Sequence, residues 1–223
     1  METLLRLLHR RRPAEGWLLW LLALLTLLLT AVSAGAAGWV PHLGLLLSVV
    51  IIAGYSAAFG FGRVLSARGA GKTRRLAGWW AALGLALLGI ALVSLLAGWR
   101  EAPQPGDGLP GLALPLARAG LALGEMAARL AQWAGDLRAA GQVNQDDAVF
   151  RWLLGLLAWG AAAWAGWWLF VRRQTLAAFL PAGLLLAGNA YVYWDGRIWL
   201  PFFLGGVTVV AVLMQRHALE RRW

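Results

Sequence analysis

The sequence has no cysteine, only three histidines and few charged residues. Charged residues make up 13% of its 223 residues, about half of the roughly 25% that is usual for a soluble domain. Without cysteine, the chain cannot form disulfides, thiol nucleophiles, Fe–S clusters or thiolate zinc sites. The histidines are far apart in sequence, at positions 9, 42 and 217, so they do not suggest a metal site. We therefore expect no metal and no other cofactor.

Apolar residues dominate what is present, at 61% of the chain. A membrane with a hydrocarbon core of about 30 Å is crossed by a helix of about 20 apolar residues. Six stretches qualify, and none contains an interior charge: 17–37, 43–61, 76–98, 152–171, 176–193 and 198–214. The sequence thus predicts an all-α integral membrane protein, in which residues 1–223 form a single membrane domain with six transmembrane helices bundled in the lipid bilayer.

The distribution of charge predicts the orientation of these spans. The N-terminal segment, the second and fourth loops between spans and the C-terminal segment together hold 14 of the 20 basic residues and three acidic residues. The remaining loops, on the other side of the membrane, hold six basic and seven acidic residues. Because Lys and Arg in short loops stay in the cytoplasm, we expect both termini to be cytoplasmic in a cell membrane. The net charge of +10 then reflects orientation, and a nucleic-acid partner is not expected. The abundance of Ala, Gly, Leu and Arg suggests a GC-rich bacterial genome.

The long segment between the third and fourth spans predicts one further helix, over about 114–140. Its apolar residues recur at helical spacing, at Leu123, Met126, Leu130, Trp133 and Leu137. Charged residues recur on what reads as the opposite face, and they form a candidate partner surface: Arg118, Glu125, Arg129 and Asp136. Such an amphipathic extracytoplasmic helix is expected to lie in the interface or across the top of the bundle. Asp146 or Asp147 can cap the fourth span.

Small residues spaced four apart predict where helices pack closely. Two such stripes lie on the second and fourth spans, at Gly54, Ala58 and Gly62 and at Ala158, Ala162 and Gly166. Small side chains let two backbones approach each other in a membrane. We interpret both stripes as helix-packing faces.

Polar residues within the spans are few, and they form no catalytic constellation. The last two spans contain Asn189 and Tyr191, and the turn between them contains Asp195 and Arg197, which could pair. The stretch 69–73 ends like a phosphate-binding loop, but Ser66 replaces the first glycine of that pattern. We expect no enzymatic activity in this chain itself. A small transporter or channel with a polar site near Asn189 and Tyr191 is the alternative.

The first span also resembles a secretory signal peptide, because basic residues precede it and small residues follow its apolar run at 32–34. The apolar run over 17–32 is slightly longer than is usual for a signal. We interpret it as an uncleaved span, and cleavage stays open.

Several short segments are similar to the N-terminal membrane region of bacterial transglutaminase-like membrane proteins, which carry an extracytoplasmic transglutaminase/protease-like core. These segments are Glu15-Gly16-Trp17, Trp39-Val40-Pro41, Asn144-Gln145-Asp146-Asp147, Phe170-Val171-Arg172-Arg173, Phe179-Leu180-Pro181-Ala182-Gly183 and Asn189-Ala190-Tyr191. The resemblance covers nearly the whole chain.

This resemblance implies a membrane-anchoring and scaffolding role. The activity of the family would rest on Cys, His and Asp in the soluble core, and because this chain has no cysteine, no catalytic residue is carried over. The implied partner is an extracytoplasmic transglutaminase-like domain, in cis if the chain is a fragment or in trans if it stands alone.

Overall fold

The computed structural model describes residues 16–67, 72–98, 113–140 and 146–220. Within these ranges the chain is helical and has no strand. A π-helical turn (Trp168–Arg172) continues the fifth α-helix, and a 3₁₀ turn (Trp194–Ile198) joins the last two. The α-helices are α1 (Trp17–Ala36), α2 (Leu43–Ala67), α3 (Lys72–Gly98), α4 (Ala113–Ala140), α5 (Asp147–Trp167), α6 (Thr175–Val192) and α7 (Trp199–Glu220).

Six helices, all except α4, are long and apolar enough to cross a membrane. The prediction of an all-α membrane protein with six spans and one further helix is therefore confirmed. The helices run past several predicted limits: α5 begins at Asp147, α2 continues to Ala67 and α7 to Glu220. A helix satisfies its own backbone hydrogen bonds, so it can extend beyond the apolar stretch into polar residues.

Helices α2 and α5 pack most closely, at the centre of the bundle. Gly54 of α2 lies against Trp159 of α5, Ala58 against Gly166, and Gly62 against Val171. The contacts advance in the same direction along both chains, so the two helices are parallel. A Cβ atom added at Gly166 would lie only 3.0 Å from the Cβ of Ala58. The small residues therefore allow the close approach that gives helices in lipid their van der Waals attraction.

Neighbouring helices along the chain run in opposite directions. Gly35 near the end of α1 faces Gly44 at the start of α2, while Trp20 near the start of α1 packs on Tyr55. The chain consequently passes back and forth between two ends of the bundle. We call them the α4 end, where α1, α3 and α6 finish, and the basic end, where α2, α5 and α7 finish.

Trp159 joins three helices in the middle of the bundle. Its indole Nε1 donates a hydrogen bond to the carbonyl oxygen of Leu85 on α3, at 3.0 Å. The ring lies against Gly54 of α2 and Gly89 of α3, and a Cβ atom at Gly89 would overlap the indole. Glycine at these two positions therefore makes room for the ring between the helices.

Trp164 resolves a defect that a proline creates in α6. Pro181 lies inside this helix and has no N–H group, so the carbonyl four residues earlier, that of Ala177, has no helical partner. The indole Nε1 of Trp164 on α5 donates to this oxygen at 2.8 Å. The hydrogen bond satisfies a backbone group in an apolar setting and ties α5 to α6.

Candidate functional site

Asn189 is the buried polar side chain of the last hairpin, and it binds α1. Its Nδ2 atom donates to the hydroxyl oxygen of Ser33 at 2.6 Å, and both residues are buried. Gly196 in the following 3₁₀ turn packs against both, since a Cβ atom there would lie 3.4 Å from Asn189 Nδ2 and 3.5 Å from Ser33 Oγ. This cluster fastens the end of the hairpin to the end of α1.

Tyr191, the second residue of the predicted polar site, faces away from this cluster. It is 85% exposed, whereas Asn189 is 7% exposed, so the structure does not bring the two side chains into one cavity. Asn189 Oδ1 is buried without a hydrogen-bond partner, which leaves one acceptor inside the cluster. In the turn that follows, the guanidinium of Arg197 lies over the Trp194 ring, 3.0 Å from its centroid. Arg197 thus has an aromatic contact in this turn, where the sequence suggests that it could pair with Asp195.

The outer helix α4 is docked on the α4 end of the bundle by its apolar side. Met126 is 2% exposed and lies in a small core with Ala97 of α3 and with Ala148 and Val149 of α5. Leu130 and Trp133 pack against the same core. The amphipathic pattern thus has a direct counterpart, because α4 buries its apolar stripe against the ends of two spans.

A charged residue of α4 also contributes to this contact with the bundle. Arg129 pairs with Glu125 through Nε at 3.0 Å and with Asp146 through Nη1 at 3.4 Å. Asp146 is also the N-cap of α5, where Oδ1 accepts from the amides of Ala148 at 2.8 Å and Val149 at 3.4 Å. One carboxylate thereby caps a span and holds the outer helix.

The side of α4 that faces away from the bundle is not centred on the charged residues that the sequence suggests as a partner surface. Glu125, Arg129 and Asp136 are only partly exposed, at the edge of the contact with the bundle and not opposite it; the side chain of Arg118 lies outside the described residues. For Arg129, the physical reason is its attraction to Asp146 at the start of α5. The exposed side of α4 consists mainly of glycine and alanine and includes two polar residues, Gln132 and Arg138.

The two small-residue stripes meet along the α2–α5 contact. Gly54, Ala58 and Gly62 are buried there. On α5, Ala158 and Ala162 are 5% and 1% exposed, and Gly166 is also buried. Both stripes therefore belong to the interior of the bundle and offer no open surface.

Comparison with known proteins finds no matching protein family, no matching curated protein and no matching solved structure. Among the described residues, no group of three His, Asp or Glu side chains is placed to hold a metal ion. A functional interpretation of this chain consequently rests on its own residues and their contacts.

Two of these contacts, Asn189 with Ser33 and Trp164 with Ala177, are not among the predictions from the sequence. Ser33 and Asn189 are 156 residues apart, and no spacing rule connects a serine of the first span with an asparagine of the fifth. The Trp164 bond to Ala177 could have been anticipated in part, because a proline inside a span always leaves a carbonyl in need of a donor.

Proposed function

We propose that this chain is the membrane-anchoring and scaffolding domain of a transglutaminase-like cell-envelope protein, without catalytic residues of its own. The bundle lies in a bacterial cell membrane with both termini in the cytoplasm. Its partner is an extracytoplasmic transglutaminase-like domain, present in cis or in trans, and α4 carries the surface on which that domain rests.

The docking of α4 is the observation that carries this proposal. The helix is fixed by the buried Met126 and by the pairing of Arg129 with Asp146. Its opposite side is exposed and includes Gln132 and Arg138. A helix held on rigid spans presents a surface at a defined height and angle, which is what a scaffold for a soluble domain requires.

The segments that resemble the transglutaminase-like proteins support an architectural role, since most of them lie at contacts within the bundle. Trp39 packs against Phe150 and Phe170 against Tyr55 and Phe59, and Phe179 makes an edge contact with Phe203. Two further segments supply the cap Asp146 and the buried Asn189. The resemblance therefore concerns residues that hold the spans together.

The charges at the two ends support the proposed orientation. The described arginines of the basic end include Arg63, Arg172, Arg173 and Arg216, with Glu220 as an acidic neighbour of Arg216. Arginines at the α4 end are matched by carboxylates such as Asp146, Asp147 and Asp195. An excess of positive charge at one end is the feature that retains that end in the cytoplasm.

Photo-crosslinking in cells tests the partner. A photoreactive amino acid is placed at Gln132, on the exposed side of α4, and in a matched variant at Gln174, an exposed glutamine at the basic end. We expect Gln132 to yield cross-linked peptides from a domain with a transglutaminase-like Cys, His and Asp core, and Gln174 to yield none from it. Equal yields from the two positions, or products from Gln132 that lack such a domain, would contradict the scaffold role.

A further inference from the structure

The spans fall into two groups of three helices, α1–α3 and α5–α7, and the contacts within and between the groups follow one scheme. In each group, the second helix packs against the first and the third. The first helix of each group also packs against the second and third helices of the other group: α1 against α6 and α7, and α5 against α2 and α3. Exchanging α1 with α5, α2 with α6 and α3 with α7 therefore converts each of these contacts into another contact of the bundle.

The directions of the helices follow the same exchange. Helices α2 and α5 are parallel, and so are α1 and α6, which both finish at the α4 end. Thr26 of α1 meets Gly206 of the antiparallel α7, and Gly155 of α5 meets Val93 of the antiparallel α3. Because α1 begins at the basic end and α5 at the α4 end, the second group passes through the bundle in the opposite sense to the first.

The backbone supports this correspondence independently. In the described ranges, the residues other than glycine with a positive φ are His42, at 62°, and Arg173, at 58°. His42 comes directly before α2 and Arg173 shortly before α6, so each lies at the joint between the first and second helices of its group. Such a conformation is uncommon for a residue with a side chain, and it occurs at both joints.

When His42 is matched with Arg173, buried positions of the two groups coincide. Four buried residues of α2 correspond to four buried residues of α6: Leu47 to Ala178, Ile51 to Ala182, Tyr55 to Leu186 and Ala58 to Asn189. The same holds for four residues of α1 and of α5: Leu24 to Gly155, Leu27 to Ala158, Ala31 to Ala162 and Ala34 to Ala165. The two groups therefore share a register as well as an arrangement of helices.

One pair of corresponding contacts shows where the groups differ. Ala58 of α2 lies against Gly166 of α5. The residue that corresponds to Ala58 is Asn189, and it bonds to Ser33 of α1. A small apolar pair thus makes the contact in one place and a polar pair in the other, so the packing is common to both groups and the hydrogen bond is an addition.

We infer that the spans are two inverted copies of one three-helix unit, related by an approximate two-fold axis in the plane of the membrane. Inverted repeats of this kind occur in many transporter folds, where the ligand binds between the repeats near the midplane. Here the buried residues at that height are apolar, such as Leu27, Ala158 and Leu186, which suits a packed bundle. Helix α4 has no counterpart among the described helices, so it is an insertion that makes the α4 end differ from the basic end. The repeat itself does not depend on the scaffold role.

Distances between spin labels test this repeat in the full chain. Since the sequence has no cysteine, labels attach only to cysteines that are introduced. A two-fold axis makes the distance from Leu25 on α1 to Leu180 on α6 equal to that from Leu156 on α5 to Val49 on α2, whereas without the axis the two distances are independent. All four side chains are at least partly exposed, so the labels lie outside the core. Measured by double electron–electron resonance in lipid nanodiscs, the two distances should agree within about 3 Å, roughly half of a helical turn.

A second comparison moves two of the labels one turn closer to the joints. The label on α6 is placed at Leu176 and that on α2 at Leu45, which correspond to each other and are both exposed, while the labels on α1 and α5 stay where they are. These two distances should also agree within about 3 Å. A larger difference in either comparison would overturn the repeat, and the two comparisons keep the test decisive if one label disturbs the fold.

Asn189→Ala separates the repeat from the hydrogen bond that Asn189 makes. Because alanine occupies the corresponding place in α2, at Ala58, the variant should keep the distance between Leu25 and Leu180 within about 3 Å. A larger shift would show that the hydrogen bond, and not the packing shared by the two units, positions α6 on α1. That result would contradict the equivalence of the units.

Discussion

Tryptophan has two roles in this chain, and its surroundings decide which one applies. Rings near the ends of spans, such as Trp79 and Trp194, are largely exposed, as expected of indoles at the membrane interface. Three tryptophans of α5 instead donate hydrogen bonds to neighbouring helices: Trp152 to Ser94, Trp159 to Leu85 and Trp164 to Ala177. An unpaired polar group is costly where no water is present, so these donors hold the helices in one relative position.

The bond between Trp164 and the carbonyl freed by Pro181 yields a prediction for a double-mutant cycle. Trp164→Phe leaves the Ala177 oxygen without a donor and should lower the free energy of unfolding by about 1 to 2 kcal/mol. In a Pro181→Ala background the helix supplies its own N–H, so we expect the same change to cost about 1 kcal/mol less. Unfolding in detergent, followed by circular dichroism, measures both. Trp164 also contacts the Trp168 ring, with 5.1 Å between the centroids, and the loss of this contact cancels in the cycle. Equal costs in the two backgrounds would refute the role of Pro181.

The junction between α4 and α5 depends on Asp146, and the two functions of this carboxylate can be separated. Asp146→Ala removes the N-cap and the partner of Arg129, so we expect a loss of about 1 to 2 kcal/mol in stability. Asp146→Asn keeps an acceptor for the amides of Ala148 and Val149 and should lose only the ion pair, about 0 to 1 kcal/mol. Hydrogen exchange should rise at the start of α5 and in α4 for the alanine variant, and mainly in α4 for the asparagine variant.

Asp147→Ala serves as the control for this prediction. Asp147 is also acidic and lies in the first turn of α5, but it is exposed and is not the cap. Its removal should cost no more than the loss of a favourable helix-dipole contact, about 0.3 to 1 kcal/mol. An identical exchange pattern in all three variants would show that Asp146 has no special part in the junction.

The helices could be predicted from the sequence, whereas the sides on which they meet could not. A span is defined by the length of its apolar stretch, and that length is visible at once. Both lipid and the bundle interior are apolar, however, so hydrophobic periodicity does not show which side of a span faces protein. Asn189 and Tyr191 illustrate this limit, because they are two residues apart and the structure buries one and exposes the other.

For the outer helix α4, in contrast, the side that packs against the bundle could be predicted. Its remaining sides are polar or small, so its apolar residues form a periodic stripe, and Met126 of that stripe is buried against the bundle. Its charged residues are less easily interpreted, because the attraction between Arg129 and Asp146 depends on where α5 begins. A long-range ion pair follows from the fold and cannot be read from the periodicity of one helix.

At the scale of the whole molecule, the alternation of helices and the distribution of charge together predict sidedness. Contacts such as that between Ser94 and Trp152 place the end of α3 and the start of α5 at the α4 end, and the turn between α5 and α6 lies at the basic end. Gln132 and Gln174 are exposed residues of the same type at opposite ends. Because the chain has no cysteine, a cysteine introduced at either position is the only thiol, and the unaltered chain serves as an unlabelled control.

We expect a membrane-impermeant maleimide to label Gln132→Cys in intact cells and Gln174→Cys only after the membrane is permeabilised. The physical reason is the arginine excess at the basic end, including Arg172 and Arg173 beside Gln174, which resists transfer across the membrane during insertion. Labelling of Gln174→Cys in intact cells with protection of Gln132→Cys would reverse the orientation. The exposed side of α4 would then face the cytoplasm, where an extracytoplasmic domain could not reach it, so this measurement also decides whether the scaffold role is physically possible.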